Sequence, residues 1–303
     1  MSFHVTILGS GAALPTANRA PSSQYVVCNE RHILIDCGEG TQSQLRKYKV
    51  HIQRITHILI SHLHGDHYFG LVGLLSTLHL LGRDKGLTIY GPEPLEGIIR
   101  QQLEMGDTKL CFSLNFVPLN GKEHKLLFED NKMEIWCFPL RHRIPTNGFV
   151  IREKPKERSL DGERFRRDGL SLEFIPYFRR GEDITLEDGT CLLADDYTFP
   201  APAPKSYAYC SDTIYDPSLT AYVKNVSVLY HEATFLHEKL NRAKATFHTT
   251  ALQAAEIAKA SEIDKLLLGH LSARYENGLE HEREARKIFE NTQVVEDGDQ
   301  YKF

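Results

Sequence analysis

The segment His62-Leu63-His64-Gly65-Asp66-His67 puts four residues able to hold a metal ion within six positions, and only a tight loop turns all of them toward shared ions. Neutral imidazole and carboxylate suit zinc, or alternatively manganese and similar divalent ions. Gly65 lets the backbone fold closely around such a site. Four ligands on one loop cannot enclose two ions, so a two-metal hydrolase needs further donors from distant parts of the chain. Three residues meet that need, each following an apolar, strand-like run: His142 after Ile135 to Leu140, Asp212 after Tyr207 to Ser211, and His270 after Lys265 to Gly269. Glu232, in His231-Glu232-Ala233-Thr234, and His248, in Phe247-His248-Thr249-Thr250, occupy similar positions. A carboxylate that orients an imidazole makes a proton donor for a leaving oxygen. Spacing alone leaves Glu232 equally readable as a paired buried acid and His248 as a residue that opens a helix. The histidines at 4, 32, 51, 57, 79, 124, 237 and 281 lack such a setting and carry no assigned chemistry. Gly9-Ser10-Gly11 is a weak signal, since a lone G-x-G after a strand is more often a turn than a phosphate cradle.

These residues need strands to bring them together. Phe3 to Gly9, Ser23 to Cys28, His32 to Ile35 and Ile55 to Ile60 have the β-branched, glycine-bounded character of strands. Ile55 to Ile60 runs directly into the histidine-rich loop, and Gly70 to Leu81 has helical periodicity. The second half repeats this grammar, with strands at 207–210, 226–230 and 265–268 separated by helical patterns near 216–224, 249–260 and 280–290. Two similar alternating halves predict two packed sheets with helices outside, a layered α/β domain spanning 1–303. Residues 152–189 break the rhythm with dense mixed charge and read as an inserted arm.

Length and composition set limits on function. The chain has 303 residues, enough to bury a substantial core, and a formal net charge of -4, which gives no global attraction to nucleic acid. Any polyanion must be met by a local basic patch. The six widely spaced cysteines include no C-x-x-C pair and read as mostly buried thiols. The N-terminus lacks a basic secretory n-region, and the apolar window from Phe69 to Leu81 is too short to span a membrane, so a soluble cytoplasmic protein is expected.

At several stretches the sequence resembles the ribonuclease Z family of the metallo-β-lactamase superfamily. The matching segments are Leu8 to Pro15, Asp36-Cys37-Gly38-Glu39-Gly40-Thr41-Gln42, Ser61 to His67 with Gly70 to Leu75, Tyr90-Gly91-Pro92, His231 to Phe235, and His270-Leu271-Ser272-Ala273-Arg274-Tyr275. The resemblance implies a four-layer αββα sandwich and removal of 3′ trailers from precursor transfer RNA (tRNA). It places His62, His64 and His142 on one zinc, Asp66, His67 and His270 on a second, and Asp212 between them, giving two Zn2+ per subunit with Mn2+ as a substitute. It makes Asp66 a candidate proton acceptor for the attacking water, and His248, supported by Glu232, a candidate proton donor.

The resemblance also implies a protruding, tRNA-gripping arm at the 152–189 insertion, often serving the partner's site across a homodimer. Residues 152–180 hold nine basic and six acidic residues, a local excess of +3. Arg164, Arg166, Arg167 and, nearer the core, Arg274 are the candidate phosphate contacts. Where the family's arm carries a Gly-Pro doublet, this chain has Leu172-Glu173-Phe174-Ile175-Pro176-Tyr177-Phe178. Two other readings compete: a small-molecule hydrolase of the same superfamily, acting on a lactone, thioester or sulfate ester, and a non-catalytic RNA-binding protein on a decayed enzyme fold. The match along nearly the whole chain weighs against the first, and the complete ligand set against the second.

Overall fold

Hydrophobic alternation along the strands builds the molecule from the inside. In Ser23–Cys28, Val26 and Cys28 point to one buried cluster while Tyr25 and Val27 point to another, and Arg31–Ile35 divides likewise between Ile33 and Ile35 on one face and Leu34 on the other. Such two-faced burial requires cover on both sides of a sheet. The computed structural model describes residues 3–303 and supplies that cover. One seven-stranded sheet runs in the order Gln300–Lys302, Phe3–Gly9, Ser23–Cys28, Arg31–Ile35, Ile55–Leu59, Leu87–Pro92 and Leu114–Leu119. The other runs Thr292–Val294, Lys265–Gly269, Val228–Glu232, Ser206–Cys210, Thr146–Glu153, Met133–Leu140 and Lys125–Glu129.

Between them lies a single core to which Ile7, Val26 and Leu59 contribute from the first sheet and Ile135, Phe149, Tyr209 and Leu267 from the second. Helix Leu71–Leu80 covers the outer face of the first sheet with Leu71, Leu74, Leu75 and Leu78, the spacing of one helical stripe. Helix Ala251–Ala260 covers the second with Ala251, Ala254, Ala255 and Ala258, whose small side chains allow close approach to the strands. A capping box starts that helix: Thr250 accepts from the Gln253 N–H while the Gln253 side chain accepts from Thr250. The result is the expected αββα sandwich. Four of the six cysteines are buried, and all six are free thiols.

The chain divides into two compact units, the sandwich and a smaller one formed by Asp130–Lys132 and Glu153–Pro204. The smaller unit extends past the boundary expected at 189 because Thr198–Phe199 pairs back onto Ser159–Leu160. It also has a core of its own, Phe165, Phe178, Ala194 and Tyr197, which its dense charge hid in the sequence. In place of a Gly-Pro doublet, Leu172–Phe174 forms a 3-10 turn leading into helix Ile175–Arg180, which buries Phe178. Across Glu153–Pro204 eight basic residues face twelve acidic ones, a net charge of -4, so the excess over 152–180 is offset within the same unit. Among the described residues, no helix is long and apolar enough to cross a membrane.

One buried group ties the stability of the sandwich to pH. His281, in helix Leu279–Arg286, is fully buried with its ring edge-on to Tyr275 at 4.5 Å, and neither ring nitrogen has a hydrogen-bond partner among the described residues. Burial, with help from the charge of Arg19, pushes its pKa down to about 4. The folded state therefore prefers the neutral ring, and the unfolded state takes up the extra proton as pH falls from the unperturbed value near 6.5 toward 4. His281 alone is expected to remove about 2 kcal/mol of stability between pH 7 and pH 5. Urea unfolding at the two pH values checks this, with His281→Phe expected to flatten the dependence.

Candidate metal centre

Strands Ser206–Cys210, Val228–Glu232 and Lys265–Gly269 run parallel, so their carboxyl ends carry Asp212, Glu232 and His270 to one edge of their sheet. Ile55–Leu59 delivers the histidine-rich loop, which closes with the short helix Gly65–Tyr68, and Met133–Leu140 delivers His142. All seven residues singled out as ligands converge there, in two groups that meet at Asp212.

In the first group His64 Nδ1 lies 3.0 Å from His62 Nε2 and 3.2 Å from His142 Nε2, while Asp212 Oδ2 lies 3.6 and 3.8 Å from those two Nε2 atoms. In the second, Asp212 Oδ1 is 3.4 Å from His67 Nε2 and 3.1 Å from His270 Nε2, and Asp66 Oδ2 is 3.4 and 4.0 Å from them. Ligand bonds of roughly 2.0–2.1 Å in a tetrahedron give donor-to-donor edges of about 3.3 Å, so these separations match the edges of two coordination shells. Each oxygen of Asp212 turns to a different shell. The buried His67 Nε2 and Asp212 Oδ1 have no hydrogen-bond partner among the described residues, as expected of atoms aimed at a cation.

The electrostatics agree. Burial, with Asp212 opposing it, pushes the His142 pKa down to about 4 and keeps its ring in the neutral, ligating form. Burial also works against protonation of His67, but Asp66, Asp212 and Asp36 around it hold its pKa well above the usual imidazole range. Such a pocket of carboxylates calls for positive charge, and the donor set fits a pair of divalent ions.

The non-ligating ring nitrogens are fixed as well. Asp36 Oδ2 lies 2.8 Å from His67 Nδ1, Ser61 Oγ 3.0 Å from His62 Nδ1, the Phe247 carbonyl 2.8 Å from His142 Nδ1, and Ser22 Oγ 3.0 Å from His270 Nδ1. These partners choose the tautomer and ring angle. Asp36 also accepts from Ser61 N–H at 2.7 Å and from the Tyr209 hydroxyl at 2.7 Å. Sequence reasoning gave Asp36 no role, although it follows strand Arg31–Ile35 just as Asp212 follows its own strand. Gly65 has a reason other than the one read from sequence: a Cβ there would stand 2.1 Å from the Phe69 ring, which packs flat against the loop.

Beside the seven gathered residues, Glu232 is buried, and its Oε1 accepts a hydrogen bond from His248 Nδ1 at 3.0 Å. The same carboxylate accepts from the backbone N–H of Thr213, Thr234 and Thr249 and from the Thr234 hydroxyl. Burial opposes the charged ring, yet Glu232 raises the His248 pKa to about 9. One donor atom of His248 lies within 4.8 Å of Asp212 and His270 donors. His248, Asp66, Asp212 and His270 share the wall of a cavity of about 590 Å³ with Arg143, which spacing did not single out although it adjoins His142. Ala12, Ala13 and Leu14 line the mouth, whereas Ser10 of the G-x-G turn is buried and held by Asp297. Arg274 stands over the Phe235 ring at 5.0 Å. Arg164 and Arg167 belong to the smaller unit, where Arg164 pairs with Asp196 at 3.0 Å and Arg167 with Asp168 at 3.0 Å.

A helix-covered double sheet with His and Asp donors gathered at its strand ends defines a metallo-β-lactamase-fold protein. Human tRNase Z, short form, shares the fold at a TM-score of 0.72 and 28% identity, covering 98% of each chain. The Bacillus subtilis metallo-beta-lactamase fold protein YhfI does so at 0.70 and 19% identity, covering 100% of each. Residues 3–152 match the family model of the anti-Pycsar protein Apyc1. A ribonuclease Z from Parabacteroides distasonis is 43% identical over 98% of this chain and 97% of its own length. The chain belongs to the ribonuclease Z family, endoribonucleases that hydrolyse phosphodiester bonds.

The orienting role of Asp36 is open to test. Asp36→Asn is expected to lower divalent-metal affinity about 10- to 100-fold while the fold survives, checked by chelator competition on the metal-stripped protein alongside circular dichroism.

Proposed function

We propose that this enzyme removes 3′ trailers from precursor tRNA, leaving a 3′-hydroxyl on the tRNA and a 5′-phosphate on the trailer. The carrying observation is His248 on the wall of the cavity into which both donor groups open, held from behind by the buried Glu232. In this reading His62, His64 and His142 hold one zinc, Asp66, His67 and His270 the other, and Asp212 both, with manganese as a substitute. When bound, such ions supply Lewis acidity toward the phosphate and a nucleophilic water near neutral pH.

The protein's own residues do the rest. Asp66 lines the cavity, where it is the proton acceptor for the incoming water. Glu232 holds His248 in one tautomer through Nδ1, which leaves the opposite nitrogen to protonate the departing 3′ oxygen. The five hydrogen bonds that Glu232 accepts keep it from swinging away as that proton moves. The working form in this proposal is a cytoplasmic homodimer.

Incubation of metal-loaded enzyme with end-labelled precursor tRNA, followed by mapping of both new termini, tests the reaction. His248→Ala is expected to slow cleavage about 10²- to 10⁴-fold with bound metal unchanged. Loss of metal in that variant makes His248 a ligand instead. Cleavage absent at the trailer junction, with turnover of a lactone or thioester, refutes the substrate.

The smaller unit contributes through phosphate contacts. Of its three candidates, Arg166 alone has no carboxylate partner among the described residues, its Nε donating to the Gly162 carbonyl. Arg166→Ala is therefore expected to weaken precursor binding severalfold, and more than Arg164→Ala does. Filter binding measures both variants, and equal affinities argue against this contact.

A further inference from the structure

An apolar ring stands in the open at the mouth of the reaction cavity. Phe69 is 62% exposed, although it closes the loop that carries four of the donors. One face of its ring lies on Gly65, where any side chain would collide with Cε2, Cζ and Cδ2. The Tyr68 ring meets it at 5.0 Å and 64°, bracing its edge. Leu14, 64% exposed, lines the same cavity from the Ala12–Pro15 loop, and Ala13 of that loop donates its N–H to Asp66 at 2.8 Å. A ring seated on one face against Gly65 and largely exposed elsewhere, beside the proposed reaction centre, matches a stacking platform for an unpaired base.

We infer that Phe69, with Leu14 beside it, stacks on the nucleobase adjoining the scissile phosphate and so sets that phosphate's position in the cavity. This rests on the proposed RNA substrate. Phe69 touches the base and not the reacting atoms, which makes it a positioning residue. Every base has a π-face, so the platform accepts trailers of varied sequence. It grips a base that is not already sandwiched between stacked neighbours, as in a single strand.

The test pairs ring variants with substrates that lack a base. Precursor tRNA is prepared intact, with an abasic nucleotide 5′ of the scissile bond, and with one 3′ of it. On intact substrate Phe69→Ala is expected to raise KM roughly five- to a hundredfold, the range of one base-aromatic stack. Phe69→Trp keeps the wild-type KM, and Phe69→Leu behaves like Phe69→Ala because bulk without a π-face does not replace the ring. On one abasic substrate the difference between wild type and Phe69→Ala disappears. An equal loss on all three substrates, no loss on the intact one, or full rescue by Phe69→Leu overturns the stacking role. Failure of the wild-type enzyme to cut the intact precursor removes the substrate reading itself, an outcome separate from the other three.

Discussion

Negative charge gathered in and beside the core is the constraint on which this molecule is organised. Asp36, Asp66 and Asp212 surround the buried His67, Asp36 in the interior and the other two on the cavity wall, and carboxylates so crowded stay ionised only with positive charge nearby. A proton on His67 offsets part of that charge, and bound divalent cations would offset more. The fold holds these side chains at fixed separations: two packed sheets carry them at their strand ends, and helices cover both outer faces.

The backbone accepts local strain for the same end. Asp36, Phe247 and His270 are non-glycine residues with φ of 54°, 58° and 55°, the left-handed region that side chains seldom enter. Asp36 and His270 each follow a strand, and Phe247 precedes His248 while its carbonyl anchors His142. At Asp36 and His270, which are buried, packing holds the strain.

Much of this was legible in the sequence because ligand chemistry is sparse and positional. The histidine-rich loop and the His and Asp residues just after apolar runs marked the seven side chains that the fold gathers, and β-rich runs bounded by glycine or proline marked the strands that carry them. What stayed hidden involved partners far apart in the chain. Asp36 acts through Ser61, His67 and Tyr209, contacts that exist only after folding. The extent of the smaller unit depended on pairing between 159–160 and 198–199, two-residue strands with no period to detect. Its core is four residues scattered among charges. Gly65 was read as freeing the backbone, whereas the space its missing side chain leaves is taken by the Phe69 ring, a contact that spacing does not show.

The self-neutralised charge of the smaller unit bears on how fast a polyanion arrives. Five of its arginines, at 158, 164, 167, 179 and 180, lie against carboxylates of the same unit, and the chain as a whole is acidic. Long-range attraction toward a phosphate backbone is therefore weak, and encounter proceeds without the steering that accelerates strongly basic nucleic-acid binders. At this unit few arginines are free to displace condensed cations, so its contribution to RNA affinity would fall only gently as salt rises. Recognition then operates at contact distance, through shape and individual hydrogen bonds, and selectivity among folded RNAs is decided after collision.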